Sequence, residues 1–136
     1  MRLLVIGVVV CCRRQVEEAY LRDFKELTVW QKAHELVLDI YRHTREFPGE
    51  ERFGLTAHLR KTATSIGSNI SEDCGRESEA ELARFLSMAA GSASEAEYQL
   101  CLARDLGYLS HQTHGNLDTQ VNEVKRMLNS FIQKLR

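Results

Sequence analysis

From Thr28 to the C-terminus, apolar residues recur every three or four positions, the spacing that gathers them on one face of a helix. Val29, Trp30, Ala33, Leu36, Val37, Ile40 and Tyr41 form the first such stripe, with Thr28 and Gln31 in a T-x-x-Q capping pattern at its start. Phe47-Pro48-Gly49 ends it, because the residue before proline avoids helical geometry and glycine permits the turn. A second helix is predicted to begin near Glu50, to carry Leu55, Leu59, Ala63, Ile66 and Ile70 inward, and to stop at Gly75. Ser78 and Glu81 make a capping box for a third, whose stripe runs Leu82, Phe85, Leu86, Ala89, Ala93, Ala96, Leu100, Ala103 and Leu106. Gly107 to Ser110 interrupts the period. The fourth stripe, Leu117, Val121, Val124, Leu128, Phe131 and Leu135, is the most regular. Four amphipathic helices on short turns predict an all-α fold, an up-down-up-down antiparallel four-helix bundle over residues 24–136.

Within the third helix, "MAAGSASEA" (Met88 to Ala96) is almost wholly small residues, so it is expected to approach a neighbouring helix or another subunit closely. Gly91 costs about 1 kcal/mol there relative to alanine, which a packing reason would offset.

Residues 1–23 break the pattern. The apolar run from Leu3 to Cys12 is about half the ~20 residues that span a bilayer, and no small-x-small cleavage site follows it. An export signal, a buried strand or short helix, and a start assigned too far upstream all remain open for this extension. Cys11, Cys12, Cys74 and Cys101 have neither C-x-x-C nor zinc spacing, which points to free thiols in a reducing cytoplasm, with Cys101 a small apolar residue. The net charge of -1 removes the broad electrostatic case for nucleic acid and leaves only a local patch.

Four kinds of chemistry bear on these residues. None of His34, His43, His58, His111 and His114 follows a glutamate by three, the di-metal ligand spacing of bundles, and His111-x-x-His114 is placed in a turn. Cys74 sits nearer Glu72 and Asp73 than Arg76, which opposes a reactive thiolate. Glu72 and Asp73 are adjacent, so on a helix they point about 100° apart and cannot flank one bond. A salt link from Glu72 to Arg76 accounts for both charges. No catalytic, metal or cofactor residue is assigned. The fourth kind is a basic surface of Arg52, Arg60, Lys61, Arg76 and Arg84, read first as a solvated face. Repeated around a ring of subunits it becomes a candidate nucleic-acid stripe through Arg60, Lys61, Arg76 and Arg84.

"FKELTVWQKAHELVLDIY", "FPGEERFGLTAHLRKTATSIGSNISEDCGR", "RFLSMAAGSASEAEYQL" and "LGYLS", in this order, resemble a four-helix-bundle family. Its founding members are encoded by intervening sequences in bacterial 23S rRNA genes. The resemblance implies a cytoplasmic, non-enzymatic protomer that assembles as a homopentamer, with no membrane and no cofactor. It also implies kinship to an accessory protein of diversity-generating retroelements, which binds nucleic acid and partners a reverse transcriptase. The family's Asn-Ile-Ala-Glu-Gly-x-Gly-Arg pattern is matched at Asn69, Ile70, Glu72, Gly75 and Arg76, while Asp73 replaces a glycine and adds negative charge. Gly91 and Ser92 complete the signature positions. Asn69, beside the apolar stripe, is expected to hydrogen-bond across to another helix.

Overall fold

The structure is a computed structural model that describes residues 23–73 and 78–135. The expectations placed on Cys74, Gly75, Arg76 and residues 1–22 lie outside it, as does the Glu72–Arg76 link. Four α-helices carry the chain: α1 (Thr28–Thr44), α2 (Leu55–Asp73), α3 (Glu79–Asp105) and α4 (His111–Lys134). Short 3-10 turns at Phe24–Glu26 and Gly49–Glu51 precede the first two, and there is no strand among the described residues. Cross-helix bonds fix the packing: Ser65 to Ser92 joins α2 to α3, Lys125 to Glu97 joins α4 to α3, and Gln120 to Asp39 joins α4 to α1. Each helix packs on its two neighbours in a closed ring; Lys32 meets Glu123 while Asp39 meets Gln120, and Trp30 lies against Gly67 while Thr44 meets Arg60, so α1 runs antiparallel to both α4 and α2.

The periodic stripes are the core. Leu36 and Ile40 from α1, Leu59, Ile66 and Ile70 from α2, Leu82, Leu86 and Leu100 from α3, and Leu117, Val121, Val124 and Leu128 from α4 are fully buried. Each contributes roughly 1.5–3 kcal/mol by leaving water, which is what makes weak local propensities cooperate. Two stripe members fall outside. Tyr41 is exposed on α1 and Leu106 is exposed at the end of α3. Leu106 is the C-cap, its N–H still bonded to the Leu102 carbonyl, one residue before the chain turns away at Gly107.

Helix ends correct the sequence reading in three places. Thr28 is the first residue of α1 rather than its cap; Leu27 holds that position without a side-chain bond. Gln31 instead donates to the Lys25 carbonyl, 2.9 Å away, and so ties α1 to the preceding turn. α2 begins at Leu55, not near Glu50, because residues 49–51 form the 3-10 turn. The Glu51 carboxylate accepts from the Leu55 amide at 3.2 Å and serves the first turn from outside. α4 begins at His111, so His111 and His114 lie on helix and not in a turn. Ser110 caps it, accepting from the Thr113 amide at 3.1 Å. The Ser78 cap of α3 is present as expected, its hydroxyl accepting from the Glu81 amide.

α3 ends in a Schellman motif. Gly107 takes φ +82°, the left-handed conformation glycine adopts without strain, while its N–H donates to Arg104 and that of Tyr108 to Ala103. The turn thereby delivers Tyr108 to the α1–α2 turn. Its hydroxyl donates to Glu51 Oε2 at 2.9 Å and its ring meets Phe47 at 5.4 Å. That hydrogen bond holds the Tyr108 hydroxyl above its ordinary pKa of 10.0.

Candidate nucleic-acid interface

Of the four basic residues proposed for one stripe, the three that are described, Arg60, Lys61 and Arg84, are not gathered by the fold. Arg60, on α2, turns toward α1. Its Nε donates to Thr44 Oγ1 at 2.8 Å, its Nη2 to the Tyr41 carbonyl at 3.3 Å, and its guanidinium lies 4.7 Å from the Tyr41 ring centre. The last carbonyls of α1 lack intrahelical partners, and a cation there also meets the negative end of the helix dipole. Arg60 is therefore a tertiary cap on α1. Thr44 completes it by donating to the Ile40 carbonyl at 2.7 Å.

Lys61 is exposed one residue on, and it faces the other way. It lines a groove of about 310 Å³ between α2 and α3 with His58, Thr62, Ser65 and Glu95. Glu95 brings a negative charge to the same groove, so the lysine's field is locally offset. Arg84, exposed on α3, has its guanidinium 5.3 Å from the Phe85 ring centre. The Ser65–Ser92 hydrogen bond at 2.7 Å sets the register of α2 against α3. Arg84 lies eight residues before Ser92 and Lys61 four before Ser65, in opposite axial directions, so about 18 Å of rise separates them. Arg76 lies outside the described residues.

The signature positions have structural partners of their own. Asn69 donates to the Ser65 carbonyl of its own helix at 2.8 Å, and among the described residues no bond from it crosses to another helix. That back-bond serves an acceptor one turn away. Glu72 is exposed at the end of α2. Ser92 accepts from Ser65, while Ala89, Ala93 and Ala96 are fully buried, so this part of the small-residue stretch packs as expected. Gly91 does not: it faces outward, and a Cβ there would meet nothing within 4 Å.

Several polar groups escaped the sequence reading. Lys125 donates to Glu97 at 2.7 Å across α3 and α4; this hydrogen bond, with a smaller one from Asn122, pulls the Glu97 carboxyl below its ordinary 4.5. His114 is buried with Nε2 unpartnered among the described residues. It continues the α4 stripe backwards from Leu117 by three, a signal present in the spacing. Cys101 is half-buried and accepts from Arg104 Nη2 at 3.3 Å, so it is not a plain apolar residue. Among the described residues no group of three or more His, Cys, Asp or Glu could hold a metal ion, and no helix is long and apolar enough to cross a membrane.

Four helices around one apolar core, with polar side chains engaged at helix ends and between helices, define a four-helix-bundle protein. The family model for the 23S rRNA-intervening sequence protein matches residues 25–130, and the chain belongs to that family. Among solved structures it is similar to a protein of unknown function from the S23 ribosomal protein family of Bacteroides thetaiotaomicron VPI-5482. The TM-score is 0.72 at 26% identity, over 77% of this chain and 95% of that one. No curated protein matches the chain.

Proposed function

We propose that this is a non-enzymatic, cytoplasmic bundle protein that self-associates and acts through protein–protein contacts. The observation that carries the reading is the division of its surface chemistry. Arg60, Glu51, Glu97 and Lys125 are engaged in holding helices together, while large apolar side chains stand outside, among them Phe53 at 83% exposure and Tyr98 at 63%. An enzyme site needs the opposite: titratable groups convergent in a pocket and apolar groups withdrawn from water. Family resemblance suggests five copies. Native mass measurement across micromolar concentrations is expected to show a defined oligomer; a monomer throughout would refute self-association. Metal analysis of the purified protein tests the competing enzyme reading, which a stoichiometric bound metal would favour.

A second reading, nucleic-acid binding as in an accessory factor of a reverse transcriptase, is favoured by the exposure of Lys61 and Arg84. Brought together between copies rather than within one, they supply a basic surface that the described residues of one protomer do not gather. Arg60 is no test residue, since reversing its charge disturbs α1. Lys61→Glu with Arg84→Glu is expected to weaken binding to structured RNA and reduce its dependence on salt. Unchanged binding by that variant would dismiss this reading.

A further inference from the structure

The groove between α2 and α3 holds polar groups that the bundle leaves uncommitted. Ser92 meets Ser65, and Tyr108, just past α3, meets Glu51, just before α2, so the two helices run antiparallel and Gln99 falls near the level of His58. Lys61 stands on the α2 wall and Glu95 on the α3 wall. Among the described residues neither has an ion-pair partner, and they do not pair with each other. Behind Glu95 lies Gln99, only 8% exposed, with its Oε1 unpartnered among the described residues. Its Nε2 donates to Glu95 Oε1 at 3.4 Å, longer than the usual N–H···O range, and so ties the buried amide to the groove wall. A buried acceptor without a donor weakens the fold, a cost that leucine in the same place would not carry.

The hydroxyls along the groove are already spent as donors: Thr62 donates to the His58 carbonyl at 2.8 Å and Ser65 to Ser92 at 2.7 Å. What remains is a pair of acceptors, on Glu95 and Gln99, and a pair of donors, on Lys61 and the His58 ring. We propose that the groove binds a small zwitterion, a free α-amino acid. Its ammonium lies between the Glu95 carboxylate and Gln99 Oε1, and its carboxylate lies on Lys61 and His58. A simple carboxylate would leave Glu95 and the Gln99 oxygen unanswered, and a simple amine would meet the Lys61 charge unopposed. A ligand that carries both charges answers both walls. The groove of about 310 Å³ has room for such a molecule with a short side chain. Glu95 is exposed, so exchanging its long bond to Gln99 for bonds to the ligand moves no helix. The ligand is bound and not transformed, in keeping with the non-enzymatic reading.

Such binding is separate from self-association and holds for a monomer or a ring. Calorimetric titration of the full chain with L-alanine, L-serine and L-glutamine is expected to give saturable binding of at least one, with a Kd of about 1 mM or tighter. The N-acetyl derivative of the amino acid that binds lacks the ammonium, and its methyl ester lacks the carboxylate. Each is expected to bind at least about tenfold more weakly. Glu95→Gln and Lys61→Met, both at exposed positions, are expected to weaken the same binding about tenfold and to leave the Tm unchanged. Gln99→Leu removes the unpartnered oxygen. It is expected to weaken binding likewise while the Tm holds or rises, which separates recognition from folding. Absence of saturable binding of all three amino acids up to about 10 mM overturns the proposal. So does binding that the N-acetyl derivative matches, or that Glu95→Gln or Lys61→Met leaves undiminished.

Discussion

Thr44 and Arg60 decide how α1 ends. The Thr44 hydroxyl is buried, donates to Ile40 and accepts from Arg60, so one side chain satisfies a helix carbonyl and anchors a cation from α2. Thr44→Val keeps the shape and removes both bonds. It is expected to cost roughly 1–3 kcal/mol in denaturant unfolding, because a donor on Arg60 is left half-desolvated and unpaired. Glu97 offers a pH test. Its carboxyl titrates below 4.5 in the fold because Lys125 and Asn122 favour the anion. A depressed folded value means the contribution is fully present above 4.5 and is lost as pH falls through the folded value. Lys125→Met is thus expected to lower the urea midpoint at pH 7 and to converge on the parent protein in acid. Parallel acid limbs for the two proteins would contradict that assignment. The Arg60 contact was illegible in sequence, since it joins positions sixteen apart through a geometry only the folded turn creates.

At the scale of the element, α2 shows what periodicity can and cannot fix. Its buried stripe of Leu55, Leu59, Ala63, Ile66 and Ile70 was legible residue by residue, because a 3.6-residue repeat leaves little choice of face. Its start was not, because the first amide is satisfied from outside the helix by Glu51. Gly54 makes room for this: a Cβ there would come within 2.6 Å of Glu51 Oε1. Gly54→Ala is expected to displace the carboxylate and speed hydrogen exchange at the Leu55 amide, with the centre of α2 unchanged. Asn69 shows a related limit, since a polar residue beside a stripe can serve its own helix as easily as another. Asn69→Leu is accordingly expected to leave self-association intact. A variant that assembles poorly would restore a cross-helix role for this side chain.

Across the whole molecule, fold and chemistry were unequally written in the sequence. Four helices follow from the placement of about thirty apolar side chains, information spread so widely that single misplacements such as Tyr41 and Leu106 change nothing. The candidate interface depended on the relative positions of a few cations on different helices. A slip of one residue turns a helical side chain by about 100°, and Arg60 and Lys61, adjacent in sequence, face different neighbours. Core substitutions test the spread directly. Ile66→Ala or Leu100→Ala, each at a fully buried site, is expected to cost about 2–5 kcal/mol through lost transfer energy and the cavity left behind. A loss near zero at both sites would mean that the layers can collapse around the gap.

The junction of Glu51 and Tyr108 carries a consequence for inheritance. One carboxylate answers both to the start of α2 and to a phenol from the other hairpin, and it stands where a side chain on Gly54 would meet it. Three positions spread over nearly sixty residues are thereby bound into a single heritable unit. A lineage that loses the Glu51 carboxylate frees Gly54 to take a side chain and removes the reason to keep the Tyr108 hydroxyl. Related chains should then divide into those that retain all three and those that have relinquished them together.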